Sequence, residues 1–312
     1  MNVFETHYVT ADDGVRLHLR IKGRTDDRTP VLYLHGGPGG GLNLAAFETC
    51  AGPILETCFP VAYLHQRGVL RSQGPGKISQ RLSFHIQDVR SAVALLSRRF
   101  QHSRVHLLAH SWGAFIGCAY LGRYAPSVAR FAAISPVVSL RHIQQDLYAL
   151  VADHVATADD PSTRQELASI GAPPYPDMDD FVRLQGLATE FLGDPYRYIV
   201  PSDLISHTGY HMDVDDCLAV QSQIAAALWP ELYQQDLTAA LETLTPPVLM
   251  ITGDQDSAVP WTAVKKAYKA YARCRPLVEK RWLLLTGSNH LPFTEPASAR
   301  RCLDSIIEFF RR

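Results

Sequence analysis

The sequence predicts an α/β fold with a mostly parallel central sheet. Three observations lead to this prediction: short apolar runs of strand length recur along the chain, segments with helical periodicity follow them, and the alternation stops over residues 138–236. Strands that alternate with helices form parallel sheets, because each helix returns the chain to the edge where the next strand begins.

The first two strands are predicted to form an antiparallel hairpin. Residues 4–9 and 15–21 are strand-like and flank the turn signal Ala-Asp-Asp-Gly. VLYLHGG at Val31 and VAYLH at Val61 are short apolar runs, as expected of strands that are covered on both faces. A helix, a strand, a second helix and a further strand then follow in FHIQDVRSAVALLSRRF, VHLLA, FIGCAYLGRYA and FAAIS.

Residues 138–236 break this alternation. They contain helical pieces such as LRHIQQDLYALVADHVA and DDCLAVQSQIAAALW, and no convincing strand. A linker would be more polar and less periodic, so we expect an inserted helical cap. The α/β pattern returns with PPVLMITGD, VPWTAVKKAYKAYARC, RWLLLTG and a final helix from about Pro296. The prediction is a core made of residues 1–137 and 237–312, with a cap at 138–236.

The composition narrows the classes of partner. The formal net charge is −1 and no block of like charges occurs, which argues against nucleic acid or an anionic membrane as the partner. We therefore expect a small-molecule or short-peptide substrate. The chain has neither a long apolar run nor a basic segment followed by an apolar one at the N-terminus, which predicts a cytoplasmic protein. The oligomeric state stays open.

The sequence predicts no metal site and no cofactor. Six cysteines occur without a C-x-x-C pair, so we expect reduced thiols rather than a zinc or redox motif. The segment HTGYH places His207 and His211 four residues apart, with three aspartates behind them. However, it lacks the glutamate of a H-E-x-x-H site, and Gly209 lies between the histidines.

The stretch LLAHSWGAFIG contains the candidate nucleophile, Ser111, between an apolar strand and a helix. It resembles the G-x-S-x-G elbow, in which the residues two before and two after the serine lie close together and must be small. Ala109 and Gly113 meet this requirement. The helix N-terminus favours a developing oxyanion, with the N–H of Trp112 as the natural donor. Taken alone, the serine is equally well explained as a helix N-cap.

Polar turns follow two later strands and supply the partners that a nucleophilic serine requires. VLMITGDQDSAVP carries Asp254 and Asp256, and WLLLTGSNHLPF carries His290. The chain order Ser, Asp, His is the order found in α/β hydrolases. Gly253 places Asp256 in the spacing G-x-x-D, so we expect Asp256 to orient His290. Asp254 is then expected to be a residue of the turn without a catalytic role.

A glycine-rich segment, HGGPGGG, directly follows the first parallel strand. Glycines let backbone N–H groups approach a substrate oxygen closely, because no Cβ stands in the way. We therefore expect Gly36 or Gly37 to complete an oxyanion hole with Trp112. The alternative is an ordinary Gly-Pro turn.

With these residues together the chain resembles the α/β-hydrolase superfamily, and more narrowly the proline iminopeptidase group of serine peptidases. The marks of that group are HGGPG after the third strand, DQRG-x-G-x-S after the fourth and a GGSWG elbow. The corresponding segments here are HGGPGG, HQRGVLRS and AHSWG. The middle segment departs twice, with His65 in place of aspartate and Leu70 in place of glycine.

The resemblance also implies how a substrate would be held. In that family, acidic side chains of the cap bind the free amino terminus, because a cation that leaves water needs a carboxylate partner. The candidates in this chain are Glu190, Asp213, Asp215, Asp216 and Glu231.

The predicted function is a serine hydrolase that forms a covalent acyl-enzyme on Ser111, with His290 moving the proton. An aminopeptidase preferring N-terminal proline is the first interpretation, and an esterase or lactonase is the second. A carbon–carbon bond hydrolase or a biosynthetic tailoring enzyme stays open, since the same triad serves them all. The alternative from another class is a ligand receptor on the same fold. Haloalkane dehalogenases and epoxide hydrolases of this fold need an aspartate nucleophile, so Ser111 argues against both.

Overall fold

Eight strands form a single sheet in the order β1-β2-β4-β3-β5-β6-β7-β8. The computed structural model describes residues 4–24, 26–73, 78–158, 160–210, 212–242, 244–274 and 278–312. The strands are β1 (Glu5–Thr10), β2 (Arg16–Gly23), β3 (Val31–Leu34), β4 (Pro60–Leu64), β5 (Val105–His110), β6 (Val128–Ile134), β7 (Val248–Gly253) and β8 (Lys280–Leu285).

Helices connect the strands from β3 onward. In chain order they are α1 (Gly41–Cys50), α2 (Gly52–Leu55), α3 (Leu82–Phe100), α4 (Trp112–Tyr124), α5 (Leu140–Thr157), α6 (Pro161–Ile170), α7 (Met178–Leu192), α8 (Pro201–Thr208), α9 (Val214–Leu232), α10 (Thr238–Leu241), α11 (Trp261–Cys274) and α12 (Ala299–Arg311).

The pairing directions confirm the predicted sheet. β2 pairs antiparallel with both β1 and β4, and every other neighbouring pair is parallel. Val31 and Tyr33 of β3 point into one apolar cluster with α1 and α12, while Leu32 and Leu34 point into another with α3, α4 and α11. Burial on both faces explains why the central strands read as continuous apolar runs.

The register brings four functional loops to one edge of the sheet. Leu34 at the end of β3 pairs with Ala109 of β5, and Gly253 at the end of β7 pairs with Leu285 of β8. Because these strands are parallel, the loops that follow them leave from the same edge, where open sheets of this kind bind ligands.

Helices α5 to α10 lie between β6 and β7 in the chain. Within the described parts of residues 138–242, the only strand-like pairing is an isolated bridge between Ser139 and Asp236. α5 contacts α6, α7 and α11, whereas α8 and α9 lie against α1. None of the helices in the described ranges is long and apolar enough to cross a membrane.

Candidate active site

Ser111 lies on a strained turn between β5 and α4. Its backbone has φ 52° and ψ −119°, a conformation that side-chain-bearing residues rarely adopt. The Ser111 N–H donates to Ile134 O at 2.9 Å, which ties the turn to β6. A Cβ on Gly113 would lie 2.1 Å from Leu34 O, so only glycine fits there. The elbow thus presents the Ser111 side chain above the sheet edge.

A continuous chain of hydrogen bonds joins Ser111, His290 and Asp256. His290 Nε2 is 2.9 Å from Ser111 Oγ, and His290 Nδ1 is 2.9 and 3.0 Å from the two oxygens of Asp256. Asp256 Oδ1 also accepts from the N–H groups of Ala258, at 2.9 Å, and Val259, at 2.7 Å. These contacts fix the carboxylate and leave the far imidazole nitrogen facing the serine.

Asp254 occupies the turn next to Asp256 and has a different partner. Its Oδ1 accepts from the N–H of Gly287 at 2.7 Å, which joins the loops that follow β7 and β8. The structure therefore places Asp256, and not Asp254, against His290.

Asn289 and Glu295 hold the His290 loop, and sequence reasoning did not find them. The N–H of His290 donates to Asn289 Oδ1 at 2.7 Å, and the N–H of Asn289 donates to Glu295 Oε1 at 2.8 Å. The ring of His110 adds a further contact, with Nε2 3.0 Å from His290 O. No motif marks these residues, because each acts through a backbone group that only the fold brings near.

Gln66 is a third residue that sequence reasoning missed. Its Oε1 accepts from Trp112 Nε1 at 3.0 Å, and its Nε2 donates to His35 O at 2.8 Å. It joins the first turn of α4 to the glycine-rich loop after β3. That loop packs closely, because a Cβ on Gly36 would lie 3.2 Å from Ser111 Cβ and 2.7 Å from His110 Nδ1.

A cavity of about 370 Å³ opens beside Ser111 and His290. Gly37 and Trp112 line it near the serine. Its apolar side chains include Leu140, Ile143, Met178, Phe181, Trp229 and Leu232. Its polar side chains are Asn43, Gln185, Thr189, Tyr196, Gln221, Ser222 and Ser257. Apart from His290, no ionisable carboxylate or cationic side chain of the described residues lines this cavity.

The five acidic candidates lie elsewhere. All five side chains are exposed, and none lines the Ser111 cavity. Glu231 accepts from the N–H of Leu82, and Asp213 caps α9 by accepting from the N–H of Asp216. Asp213 and Asp216 line a separate space of about 310 Å³ beside Arg71. Capping and solvation account for these carboxylates without a substrate.

The two departures from the family pattern have clear structural settings. His65 is buried, and its Nε2 lies 3.0 Å from the hydroxyl of Tyr210, which in turn donates to Glu48 at 2.5 Å. Burial holds the pKa of His65 well below its usual range. Leu70 has φ 45°, which explains why glycine suits this position.

No group of three histidine, cysteine, aspartate or glutamate side chains in the described residues could hold a metal ion. α8 ends at Thr208, and Gly209 has φ 65°, so the helix that carries His207 stops there. His211 lies outside the described residues.

Comparisons with known proteins agree with this architecture. A family model described as alpha/beta hydrolase fold matches residues 29–170. The crystal structure of the esterase RhEst1 from Rhodococcus sp. ECU1013 matches with a TM-score of 0.66 and 20% identity, covering 98% of each chain. The chain has the α/β-hydrolase fold.

The chain is also similar to proline iminopeptidases, as the sequence motifs predict. The proline iminopeptidase of Lactobacillus delbrueckii subsp. lactis is 25% identical over 287 residues, which is 89% of each chain. The crystal structure of proline iminopeptidase from Mycobacterium smegmatis matches with a TM-score of 0.70 and 18% identity over 98% of each chain. The predicted fold and the predicted resemblance are both confirmed.

Proposed function

We propose that this protein is a serine hydrolase that cleaves uncharged esters or lactones through an acyl-enzyme on Ser111. The observation that carries the proposal is the hydrogen-bonded chain from Ser111 through His290 to Asp256 at the wall of a cavity. A serine in an ordinary turn needs neither a histidine partner nor a carboxylate behind that histidine.

The proposed reaction has two halves. His290 Nε2 takes the proton of Ser111 Oγ while Oγ attacks the substrate carbonyl, and the imidazolium then gives that proton to the leaving oxygen. In the second half a water attacks the acyl-enzyme, with His290 again as the base. Asp256 keeps Nδ1 protonated and stabilises the imidazolium.

Two backbone N–H groups are proposed to bind the oxyanion. Trp112 is the first residue of α4, so its N–H has no acceptor within the helix. Gly37 lines the cavity, whereas Gly36 packs behind the serine against His110. Gly37 is therefore the better supported of the two glycines. Donors that are already oriented stabilise the transition state without reorganisation.

The absence of a carboxylate from the described cavity lining favours uncharged substrates. A substrate ammonium would lose its water there without gaining an ionic partner, at a cost of several kcal/mol. The aminopeptidase function stays the second candidate, because the relatives named proline iminopeptidase cover nearly nine-tenths of this chain. We further propose that residues 138–236 act as the cap, since α5, α7 and α9 supply much of the cavity wall.

One set of rates tests this proposal. p-Nitrophenyl esters of butanoic acid, N-acetylalanine, alanine and proline share a leaving group and differ in charge. We expect kcat/KM for the two uncharged esters to exceed that for the two free amines at least tenfold, which is about 1.4 kcal/mol. A preference for the prolyl ester would instead support the aminopeptidase. Equal rates in wild type and Ser111→Ala would contradict a serine hydrolase and favour a receptor.

A further inference from the structure

Asn43 is an unusual member of the cavity wall. It lies on the first turn of α1, directly after the glycine-rich loop, and it is only 3% exposed. Its Nδ2 donates to the hydroxyl of Tyr196 at 3.3 Å, whereas its Oδ1 has no hydrogen-bond partner among the described residues. A buried polar atom without a hydrogen-bond partner lowers the stability of the folded protein. Its presence therefore needs an explanation.

The surroundings of Asn43 are polar and uncharged. Gln221 lies near enough to Tyr196 to influence the pKa of its hydroxyl, so three elements meet here: α1, the segment after α7, and α9. All three side chains line the Ser111 cavity. Gln221 and Trp229 lie eight residues apart on α9, which separates them by about 12 Å. The polar group is therefore distinct from the apolar wall that Trp229 and Phe181 form.

The polar group shares its cavity with Ser111 and His290. A Cβ on Gly40 would be 2.5 Å from both Asn43 Nδ2 and Gly36 O, and Gly36 packs against Ser111. Because Asn43 and Ser111 line the same cavity, one substrate can contact both side chains.

We propose that Asn43, supported by Tyr196 and Gln221, forms a neutral subsite that accepts a hydrogen bond from an amide N–H or a hydroxyl near the scissile carbonyl. This inference rests on the proposed serine hydrolase function and narrows its substrate class. The substrate is an ester whose acyl part carries an uncharged donor, such as an N-acylamino ester, rather than a plain alkyl ester. A donor of this kind satisfies the unpartnered Oδ1.

A matched pair of substrates tests the subsite. The p-nitrophenyl esters of N-acetylalanine and O-acetyllactate differ only in one N–H that is replaced by oxygen. After correction for their spontaneous hydrolysis, we expect wild type to prefer the N–H ester about tenfold in kcat/KM. Asn43→Leu is expected to abolish this preference, while Asn43→Asp, which keeps an acceptor oxygen, is expected to retain it.

Thr49→Val is the matched control. Thr49 lies on the same helix and also has a buried oxygen without a hydrogen-bond partner in the described parts of the chain, but it does not line the cavity. We expect Thr49→Val to keep the tenfold preference. Equal rates for the two esters in wild type, or an equal loss for both in Asn43→Leu, would overturn the subsite.

Ligand binding to the Ser111→Ala variant tests the Asn43 subsite independently of the proposed hydrolysis. Calorimetry with the methyl esters of N-acetylalanine and O-acetyllactate measures the same preference without turnover. A tenfold tighter Kd for the N–H ester that Asn43→Leu removes would support the subsite even if wild type hydrolyses neither p-nitrophenyl ester. Equal Kd values would overturn it.

Discussion

Ser111 combines backbone strain with a defined hydrogen-bond partner. Conformations such as its φ of 52° cost of order 1–3 kcal/mol and persist only where the surroundings enforce them. Gly113 permits the close approach of β3, and the bond from Ser111 N–H to Ile134 O anchors the turn to β6. These contacts hold the hydroxyl at a fixed distance from His290, as the proposed role of nucleophile requires.

Two neighbouring aspartates provide a test at the residue scale. We expect Asp256→Asn to lower kcat by about 10⁴-fold, because an amide stabilises the wrong tautomer of His290. Asp254→Asn is the matched control, since Asp254 contacts Gly287 and not His290. Its kcat should stay within threefold of wild type. Steady-state kinetics with one ester measure kcat for both variants. Comparable losses of kcat in the two variants would refute the assignment of Asp256.

Sequence reasoning selected those candidate residues that belong to a short motif with fixed spacing. Asp256 follows Gly253 by three positions, and Ser111 has small neighbours at 109 and 113, so short motifs were enough to select them. The residues that support His290 could not be found in this way. Asn289 and Glu295 act through backbone contacts. An ordinary surface turn could have the same sequence, so the sequence alone does not identify their role.

At the scale of elements, Gln66 couples the loop after β4 to both sides of the proposed oxyanion hole. We expect Gln66→Leu to lower kcat about tenfold with little change in KM, because Trp112 Nε1 and His35 O lose their partner. Gln144→Leu is the control. Gln144 is equally buried and bonds to two backbone groups of the helical segment, away from the cavity.

Thermal unfolding of both variants separates a positioning role of Gln66 in catalysis from a contribution to stability alone. A similar fall in Tm for Gln66→Leu and Gln144→Leu, with kcat reduced only in the first, is the expected pattern. If both variants keep the kcat of wild type, Gln66 has no positioning role.

The strands and long helices were predictable because their periodicity is a property of the local sequence. The residues that line the cavity were not predictable, because they depend on which face each inserted helix turns toward the sheet. Glu190, Asp213 and Glu231 illustrate this limit. Their charge made them candidates for binding an ammonium. However, Asp213 caps α9, and the apolar faces of α7 and α9 turn inward and leave Glu190 and Glu231 in solvent.

At the scale of the whole molecule, buried histidines link stability to pH. Burial lowers the pKa of six of them below the ordinary value of 6.5: to about 4 for His18 and His35, to about 3 for His85 and His106, and well below it for His65 and His110. Below pH 6.5 the folded chain keeps these rings largely neutral until the pH approaches their lowered pKa values, whereas the unfolded chain protonates them. Their stabilising effect is therefore complete above pH 6.5 and is lost as the pH falls.

This linkage predicts a steep acid transition. Uptake of up to six protons on unfolding lowers the free energy of unfolding by up to about 8 kcal/mol per pH unit near pH 5. Domains are commonly stable by about 5–15 kcal/mol, so we expect unfolding at about pH 5. Circular dichroism at 25 °C from pH 8 to 4 measures the midpoint. A native circular dichroism signal that persists unchanged down to pH 4 would contradict the account.

The central claim is that His290 and Asp256 make Ser111 a nucleophile, and covalent labelling tests it most directly. Wild type, Ser111→Ala and His290→Ala are each treated with a fluorophosphonate, and the adduct is located by peptide mass mapping. We predict one adduct, on Ser111, in wild type, none in Ser111→Ala, and labelling slowed at least a thousandfold in His290→Ala, which retains the serine but not the base. No adduct on Ser111 in folded wild type, or equal labelling rates in wild type and His290→Ala, would contradict the claim.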